Sequence, residues 1–302
     1  MPSWLQAVIL GVVQGLTEFI PVSSSGHLVL IPYLAGWPKP GLAFDVALHM
    51  GTFGAVAVFF RAELAAMARG LLGRGGQQDA LYRRLALLVA AASVPVAILG
   101  LVFEGMVERA FASPFATALF LLITAALLLA GERRRDRRVA AAKVPAGPGG
   151  PTGPSQKPGT ADLPTGADPG DPKGRDLRKV GLRDALIVGG LQCLALLPGV
   201  SRSGTTITAG VAAGLTREAA TRFSFLLSLP ALVGAFVLSL GDLGEPGPYS
   251  GAAIVAAIVA AFVAGYAAVR YLVALVARDR LSPFAYYCVA ASLVTLVVGV
   301  LR

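Results

Sequence analysis

The chain has 302 residues, of which 55% are hydrophobic and only 14% are charged, and its mean hydropathy is +0.70. Because a soluble domain carries about a quarter charged residues, this composition excludes an ordinary soluble globular protein. It predicts an all-α protein that crosses a membrane several times. The net charge of +9 would fit a nucleic-acid partner, but the positions of the basic residues indicate membrane topology and no nucleic acid.

Eight apolar segments follow one another along the chain, each long enough to enter or cross a bilayer. They cover residues 4–30, 44–60, 85–103, 113–130, 184–212, 221–240, 251–269 and 283–301. No short leader with a small-residue cleavage site precedes the first segment, so we expect no removable signal peptide. Cys193 and Cys288 lie far apart in apolar segments, which favours buried thiols over a disulfide or a metal site.

The basic residues are concentrated in alternate loops. Of 26 Lys and Arg residues, 22 fall in the stretches 61–84, 132–183, 213–222 and 270–282. The stretches 31–43, 104–112 and 241–250 together hold only Lys39 and Arg109. Basic loops stay on the cytoplasmic side of a membrane. The asymmetry therefore predicts six full spans, with both chain termini outside.

Two of the eight segments are predicted to enter the membrane and return to the same side. Segment 184–212 has basic stretches at both ends, and Pro and Gly interrupt its middle, LPGVSRSG. A shift of 178 positions places residues 11–26 over 189–204 with seven identities in 16 positions. Three spans follow each copy, and because three is odd, the second copy enters from the opposite face. This predicts an inverted-topology repeat whose re-entrant helical hairpins, 4–30 and 184–212, meet near the middle of the bilayer.

The two halves are predicted to be residues 1–138 and 180–302, joined by a cytoplasmic linker, 139–179. Eight prolines and eight glycines fall within residues 145–174, with few apolar residues between them. Such a segment cannot bury enough surface to fold. We therefore expect the linker to be disordered.

The stretch QGLTEFIPVSSSGHLVL, residues 14–30, places polar side chains in a segment that otherwise belongs in hydrocarbon. Gln14 and Glu18 are four residues apart and share a helix face. Their oxygens could hold a hard cation such as Mg²⁺ or Ca²⁺, or the two side chains could bond to neighbouring helices. In segment 44–60, Asp45 and His49 could line the same cavity, although their spacing does not require it.

Three consecutive serines and a histidine follow in the same stretch. Any one of Ser23, Ser24 and Ser25 could cap the helix that continues through Leu28. His27, taken alone, fits a satisfied core histidine. Beside Ser24 on a turn, it becomes a candidate general base for that hydroxyl.

The second hairpin supplies Arg202, which the repeat aligns with Ser24. A permanent cation inside a membrane faces a partner or an aqueous cavity, and the guanidinium fork suits a phosphate group. The flanking hydroxyl residues and the Gly-rich backbone would add donors; these residues are Ser201, Ser203, Thr205 and Thr206. The alternative is a structural ion pair between Arg202 and Glu18.

The stretches QGLTEFIPVSSSGH and LPGVSRSGTT closely resemble the two signature regions of the bacterial undecaprenyl-pyrophosphate phosphatases, the bacitracin-resistance membrane protein family. Further matches, such as FDVALHMGTFGAVAVFF, ATRFSFLLSLPALVGA and SPFAYY, extend the likeness to nearly all of the chain except the linker. The resemblance implies hydrolysis of the C55 isoprenyl pyrophosphate to the monophosphate carrier lipid and inorganic phosphate. A polyprenyl-phosphate flippase or secondary transporter is the alternative, because inverted repeats are common in transporters.

The resemblance also implies a cofactor, a location and residue roles. It implies a divalent cation, Mg²⁺ or Ca²⁺, held by Gln14 and Glu18, and a multi-pass protein of the bacterial inner membrane whose active site faces outside. It makes Ser24 the nucleophile, His27 its base, and Glu18 and Arg202 further catalytic residues. The implied substrate-binding residues are Gln14, Ser23, Ser25, Gly199, Ser201, Ser203 and Thr206. We expect the lipid substrate and the bilayer as partners, and a homodimer is left open.

Two features depart from the family pattern. Many members have a glutamate where this chain has Gln14, which weakens an anionic metal site but leaves a neutral oxygen. The linker between the halves is also longer than the resemblance leads us to expect.

The predicted topology can be tested by cysteine labelling in intact cells. A cysteine introduced by Ser155→Cys, within the linker, is expected to stay unlabelled by a membrane-impermeant reagent added from outside. Labelling after the membrane is opened is the control. Labelling of this cysteine in sealed cells would contradict the predicted topology.

Overall fold

Eleven α-helices make up the described part of this protein, whose structure is a computed structural model. It describes residues 3–74, 77–103, 105–106, 113–141, 171, 174–238, 247–278 and 280–301, and no β-strand forms within them. The helices are α1 (Ser3–Phe19), α2 (Ser24–Ala35), α3 (Leu42–Phe59), α4 (Arg61–Leu71), α5 (Gln77–Val102), α6 (Pro114–Ala141), α7 (Leu182–Gln192), α8 (Arg202–Ala212), α9 (Arg217–Leu238), α10 (Gly251–Arg278) and α11 (Ser282–Leu301).

Five of these helices are long and apolar enough to cross a membrane, namely α5, α6, α9, α10 and α11. A sixth span is formed if α3 and α4 count together, although the chain bends by 77° between them. The prediction of an all-α polytopic protein with about six transmembrane helices is therefore confirmed. The bend was not predicted, because the apolar pattern simply ends near Phe60 and says nothing about the helix that follows.

Both predicted hairpins form two helices separated by an interruption. In the first, α1 ends at Phe19 and α2 begins at Ser24. In the second, α7 is followed by a 3-10 turn, Cys193–Leu196, and α8 begins at Arg202. Helices α2, α7 and α8 contain 12, 11 and 11 residues, so each is roughly 16–18 Å long, about half the thickness of the hydrocarbon core. That each hairpin returns to the side from which it entered stays a prediction.

The first helix of each hairpin packs against a span of the other half. Helix α1 lies along α10, and α7 lies along α5. Glycine allows these close approaches, since a Cβ at Gly11 would lie 2.3 Å from the carbonyl oxygen of Ala257. Gly189, which the offset of 178 aligns with Gly11, approaches Ala92 in the same way, at 2.1 Å. The two halves are thus interlocked by equivalent contacts, which supports the predicted repeat without establishing its inversion.

A buried ion pair joins three helices at one end of the bundle. The Arg217 guanidinium, at the start of α9, donates to the Glu132 carboxylate of α6, and the side chains are each only 4% exposed. The other carboxylate oxygen of Glu132 accepts a hydrogen bond from the backbone N–H of Leu281, 3.2 Å away, just before α11. These two contacts of Glu132 fix the positions of α6, α9 and α11 relative to one another.

Both ends of the segment predicted as a linker, residues 139–179, belong to the described structure. Helix α6 continues to Ala141, and the structure describes the chain again at residue 171 and from residue 174 onwards. Leu177 is buried, and Arg175 forms a bidentate ion pair with Asp184 at 2.7 Å. These contacts were not predictable from the Pro and Gly content that set the boundary. Residues 142–170 and 172–173 lie outside the described residues, so the disorder predicted for them stays a prediction.

The substitution Glu132→Gln should destabilise the fold by ~3–5 kcal/mol, because it leaves the buried Arg217 cation uncompensated. The control is Glu218→Gln, which removes a partly exposed carboxylate from an i,i+4 pair with Arg222 and should cost at most ~1 kcal/mol. The free energy of unfolding, measured by denaturant titration in detergent, distinguishes the two. Equal, small losses would show that the buried pair does not hold these helices together.

Candidate active site

The two interrupted hairpins meet at their turns. A Cβ at Gly26, in the first turn of α2, would lie 3.3 Å from the Cα of Gly199 in the second hairpin. The Ser203 hydroxyl donates to the carbonyl oxygen of Ile20 at 3.2 Å. The structure therefore brings together the two stretches in which the sequence concentrates its polar residues.

Each turn ends in a serine-capped helix whose N-terminus lies at this junction. Ser23 Oγ accepts the backbone N–H of Gly26 at 3.2 Å, and Ser201 Oγ accepts that of Gly204 at 3.0 Å. The expected serine cap of α2 is thus confirmed for Ser23. Two helix N-termini with their partial positive charge and free N–H groups favour an anionic ligand between them.

Glu18 is the centre of the polar cluster. Its Oε1 accepts a hydrogen bond from Arg202 at 2.8 Å, so the ion pair considered from the sequence is present. Its Oε2 accepts hydrogen bonds from Ser24 Oγ at 2.6 Å and from Gln14 Nε2 at 3.0 Å. Glu18 is therefore in direct contact with Gln14, Ser24 and Arg202, the residues of the two hairpins that were expected to act with it, apart from His27.

Helix α9 also holds Arg202 in place. The Arg202 NH1 group donates to the carbonyl oxygen of Ser224 on α9 at 3.1 Å, and the hydroxyls of Thr206 and Ser224 lie 2.6 Å apart. Two of the five guanidinium N–H donors are used by Glu18 and Ser224. The side chain remains 15% exposed, which leaves donors for a ligand that enters the junction.

The hydroxyls around Arg202 bind the protein itself. Thr205 Oγ1 donates to the Ser201 carbonyl at 2.7 Å, Thr206 Oγ1 donates to that of Arg202 at 2.8 Å, and Ser201 and Ser203 share a contact of 3.2 Å. Buried backbone groups next to a turn need such partners. In the first hairpin, Ser25 similarly contacts Ser23 at 3.3 Å. Contact of these hydroxyls with substrate stays a prediction.

His27 does not pair with Ser24. Its Nδ1 donates to the carbonyl oxygen of Ser23 at 2.6 Å, and its Nε2 lies 2.7 Å from the hydroxyl of Tyr287. Because a carbonyl oxygen only accepts, Nε2 of the neutral ring is left to accept from Tyr287. Helical side chains point towards the preceding turn, which explains why the ring reaches Ser23 instead of Ser24. The Ser24 hydroxyl, for which His27 was the candidate general base, donates to Glu18 instead.

The turn that His27 supports has an unusual backbone. Ser23 has a φ of 70°, the single positive φ of a non-glycine residue within the described ranges, and this conformation is strained for an L residue. The carbonyl of Ser23 is held by His27, and the His27 ring lies parallel to that of Tyr287 with centroids 5.6 Å apart. Tyr287 on α11 thus anchors the turn that presents Ser24 to Glu18.

Sequence reasoning did not assign Tyr287 or Thr124 to the site. Thr124 Oγ1 donates to the Gly199 carbonyl at 2.9 Å and accepts the Ser201 N–H at 2.8 Å, so it holds the second turn. Gly199 itself has a φ of 98°, and a Cβ there would lie 2.3 Å from the Thr117 carbonyl oxygen. Tyr287 belongs to the quoted SPFAYY stretch, which could have pointed to it. Thr124 sits inside an apolar helix and has no such signal.

His49 also reaches the site, as considered from the sequence. Its Nδ1 donates to the backbone carbonyl of Asp45 at 2.7 Å, and its Nε2 lies 3.5 Å from Glu18 Oε2. Asp45 contributes this carbonyl. Its carboxylate Oδ1 is buried without a hydrogen-bond partner among the described residues.

The residues predicted to hold a divalent cation fit that role. Gln14 Oε1 is buried and has no hydrogen-bond partner in the described part of the protein, and the Glu18 carboxylate beside it supplies negative charge. Oxygen donors of this kind suit Mg²⁺ or Ca²⁺. Within the described ranges, this site included, no group of three or more His, Cys, Asp or Glu side chains could hold a metal ion, so a cation here would depend on the Gln14 amide oxygen as a ligand. Cys193 and Cys288 are free thiols, as expected.

The substitution Tyr287→Phe tests the anchoring of the turn. It keeps the ring beside His27 but removes one hydrogen bond, so we expect kcat on a polyprenyl pyrophosphate to fall about tenfold while KM changes little. Tyr286→Phe, at the neighbouring exposed tyrosine, is the matched control and should behave as wild type. A raised KM with normal kcat would instead place Tyr287 in substrate binding.

Comparison with known proteins identifies the family of this chain. The family model described as "Bacitracin resistance protein BacA" matches residues 7–294. A protein of Desulfosudis oleivorans is 42% identical over 305 residues, with 98% of each chain covered. Proteins of Rubrobacter xylanophilus and Geobacter sulfurreducens are 41% and 40% identical, each over 94% of this chain and 93% of its own length. All three are named undecaprenyl-diphosphatase. The chain belongs to the BacA family of bacitracin resistance proteins.

Proposed function

We propose that this chain is an undecaprenyl-diphosphatase, an integral membrane enzyme that hydrolyses undecaprenyl pyrophosphate to undecaprenyl phosphate and inorganic phosphate. Family membership and the names of relatives about 40% identical over nearly the whole chain support this function. Release of the monophosphate carrier lipid makes it available again for peptidoglycan synthesis. It also removes the pyrophosphate form, which accounts for the resistance to bacitracin in the family description.

The observation that carries the proposal is the contact of Ser24, Glu18 and Arg202 at the junction of two helix N-termini. A hydroxyl nucleophile, an acceptor for its proton and a guanidinium that stabilises negative charge together are able to carry out phosphoryl transfer. They lie in a helical bundle whose apolar outer surface suits lipid. A lipid pyrophosphate matches this combination of a polar site and an apolar surface, because it has charged phosphates at one end and an isoprenoid tail at the other.

The geometry supports attack by Ser24 on the terminal phosphorus. Glu18 Oε2, 2.6 Å from the Ser24 hydroxyl, accepts its proton as the Oγ–P bond forms and the bond to the bridging oxygen breaks. Undecaprenyl phosphate leaves, and the phosphate remains on Ser24. Water then attacks the phosphorus of this phosphoserine, and the P–Oγ bond breaks as Glu18 returns its proton to Ser24 Oγ. Inorganic phosphate leaves with both protons of the water, as H2PO4⁻, and Glu18 is again a carboxylate. In this scheme Glu18 takes the role of general base that was predicted for His27, because both ring nitrogens of His27 have other hydrogen-bond partners.

Arg202 and the two helix N-termini stabilise negative charge on the transferred phosphoryl group. Positioning and electrostatic stabilisation account for most of the catalysis of phosphoryl transfer. Arg202 is already oriented by Glu18 and the Ser224 carbonyl. It therefore needs little reorganisation when its remaining donors meet the phosphate oxygens.

Gln14 and Glu18 would hold the divalent cation that the family resemblance implies. When bound there, Mg²⁺ or Ca²⁺ would neutralise charge on the pyrophosphate. Glu18 is shared between the cation and the Ser24 hydroxyl, because a carboxylate oxygen has more than one lone pair.

The proposed enzyme lies in the bacterial inner membrane with its active site facing outside, as an inverted repeat of residues 1–138 and 180–302. The placement of basic loops supports this orientation, and the equivalent glycine contacts support the repeat. A homodimer fits this arrangement and needs no shared active-site residue. The alternative of a flippase or transporter has no support from the comparisons.

The function is tested by phosphate release from C55 pyrophosphate by the purified protein. Wild type should release phosphate, and Ser24→Ala should reduce the rate at least about a thousandfold, because the nucleophile is lost. His27→Gln should retain part of the activity at every pH, since His27 supports the turn without taking the proton.

Two outcomes would change these assignments. Phosphate release by Ser24→Ala at near the wild-type rate would exclude covalent catalysis by this residue. A His27→Gln enzyme that is inactive near neutral pH but recovers as the pH rises would restore His27 as the general base.

A further inference from the structure

The imidazole of His49 reaches Glu18 but has no part in the mechanism above. Its Nε2 lies 3.5 Å from Glu18 Oε2, beyond the about 2.7–3.2 Å of an N–H···O hydrogen bond. Two ligands that each lie about 2.1 Å from the same ion, at tetrahedral or octahedral angles, are roughly 3.0–3.4 Å apart. The distance between His49 Nε2 and Glu18 Oε2 is therefore close to the distance between two neighbouring ligands of one metal ion.

The orientation of the ring fits the same role. His49 Nδ1 donates to the backbone carbonyl of Asp45 at 2.7 Å. Because the carbonyl can only accept, the neutral ring carries its lone pair on Nε2, the atom that faces Glu18. Metal-binding histidines commonly have their other nitrogen fixed by a carbonyl or carboxylate in this way.

Gln14 provides the third donor. In this structure Gln14 Nε2 donates to Glu18 Oε2 at 3.0 Å. Gln14 Oε1 is buried and has no hydrogen-bond partner in the described part of the chain. Rotation of the amide by half a turn would place Oε1 beside Glu18. Two oxygens in contact repel one another unless a cation lies between them, so a bound ion would favour the amide in this flipped orientation.

We propose that His49 is a third ligand, with Gln14 and Glu18, of the divalent cation in the proposed phosphatase site, and that it gives the site a preference for Mn²⁺ over Mg²⁺. The set carries one negative charge, and Arg202 already neutralises part of it. An imidazole nitrogen favours first-row transition ions, whereas Mg²⁺ prefers oxygen ligands. Because Gln14 is neutral, it adds no charge that would attract a hard ion, and this makes the nitrogen decisive.

The test is Mn²⁺ binding to the purified protein without substrate, measured by electron paramagnetic resonance of free and bound Mn²⁺. The protein must carry no polyhistidine tag, because the chain has only two histidines. His49→Gln should weaken Mn²⁺ binding at least about tenfold and reduce the preference for Mn²⁺ over Mg²⁺ in competition. His27→Gln, which removes the other histidine, should bind Mn²⁺ as wild type does.

Pulsed electron paramagnetic resonance provides a direct readout that does not depend on the stability of a variant. Coupling of bound Mn²⁺ to an imidazole ¹⁴N should be present in wild type and in His27→Gln, and absent in His49→Gln. Wild type that binds no Mn²⁺, binds it without ¹⁴N coupling, or binds Mg²⁺ equally well would overturn the proposal.

Failure of this inference can be separated from failure of the proposed function. Phosphate release from C55 pyrophosphate is measured on the same preparations. Activity without ¹⁴N coupling would leave the phosphatase in place and remove His49 from the cation site. Coupling without phosphate release would establish the His49 ligand and overturn the proposed substrate.

Discussion

The pair of opposite charges formed by Glu18 and Arg202 is the constraint on which the rest of the structure depends. Neither charge can remain alone among apolar helices, because an unpaired buried ion is strongly destabilising. The two residues are 184 positions apart in the sequence and belong to different halves. The halves must therefore be docked before either charge is satisfied, and this requirement joins folding of the bundle to assembly of the active site.

The docking depends on close helix contact at glycines. Side chains at Gly11 or Gly189 would collide with a backbone carbonyl of the other half, so both positions need a residue without a Cβ. Helix α1 carries Gln14 about one turn and Glu18 about two turns beyond Gly11. Its distance from α10 therefore decides how far the carboxylate extends towards Arg202.

The sequence predicts much of this arrangement, and the limits of that prediction have physical causes. Apolar segment length and loop charge predicted the helical membrane fold, because each can be read from one continuous stretch of the sequence. The internal likeness of residues 11–26 and 189–204 predicted that two interrupted helices form one site. The pairing of Ser24 with Glu18, by contrast, depends on the strained φ of Ser23 and on side-chain direction in α2. Neither can be read from residue spacing.

Residues contributed by the spans, not by the hairpins, were the hardest to predict. Thr124 on α6 and Tyr287 on α11 support the two turns. Thr124 looks like an ordinary residue of an apolar helix, and SPFAYY was the signal that could have pointed to Tyr287. Both residues act on backbone carbonyls, at Gly199 directly and at Ser23 through His27. Strained turns need such support because a buried carbonyl without a partner is costly.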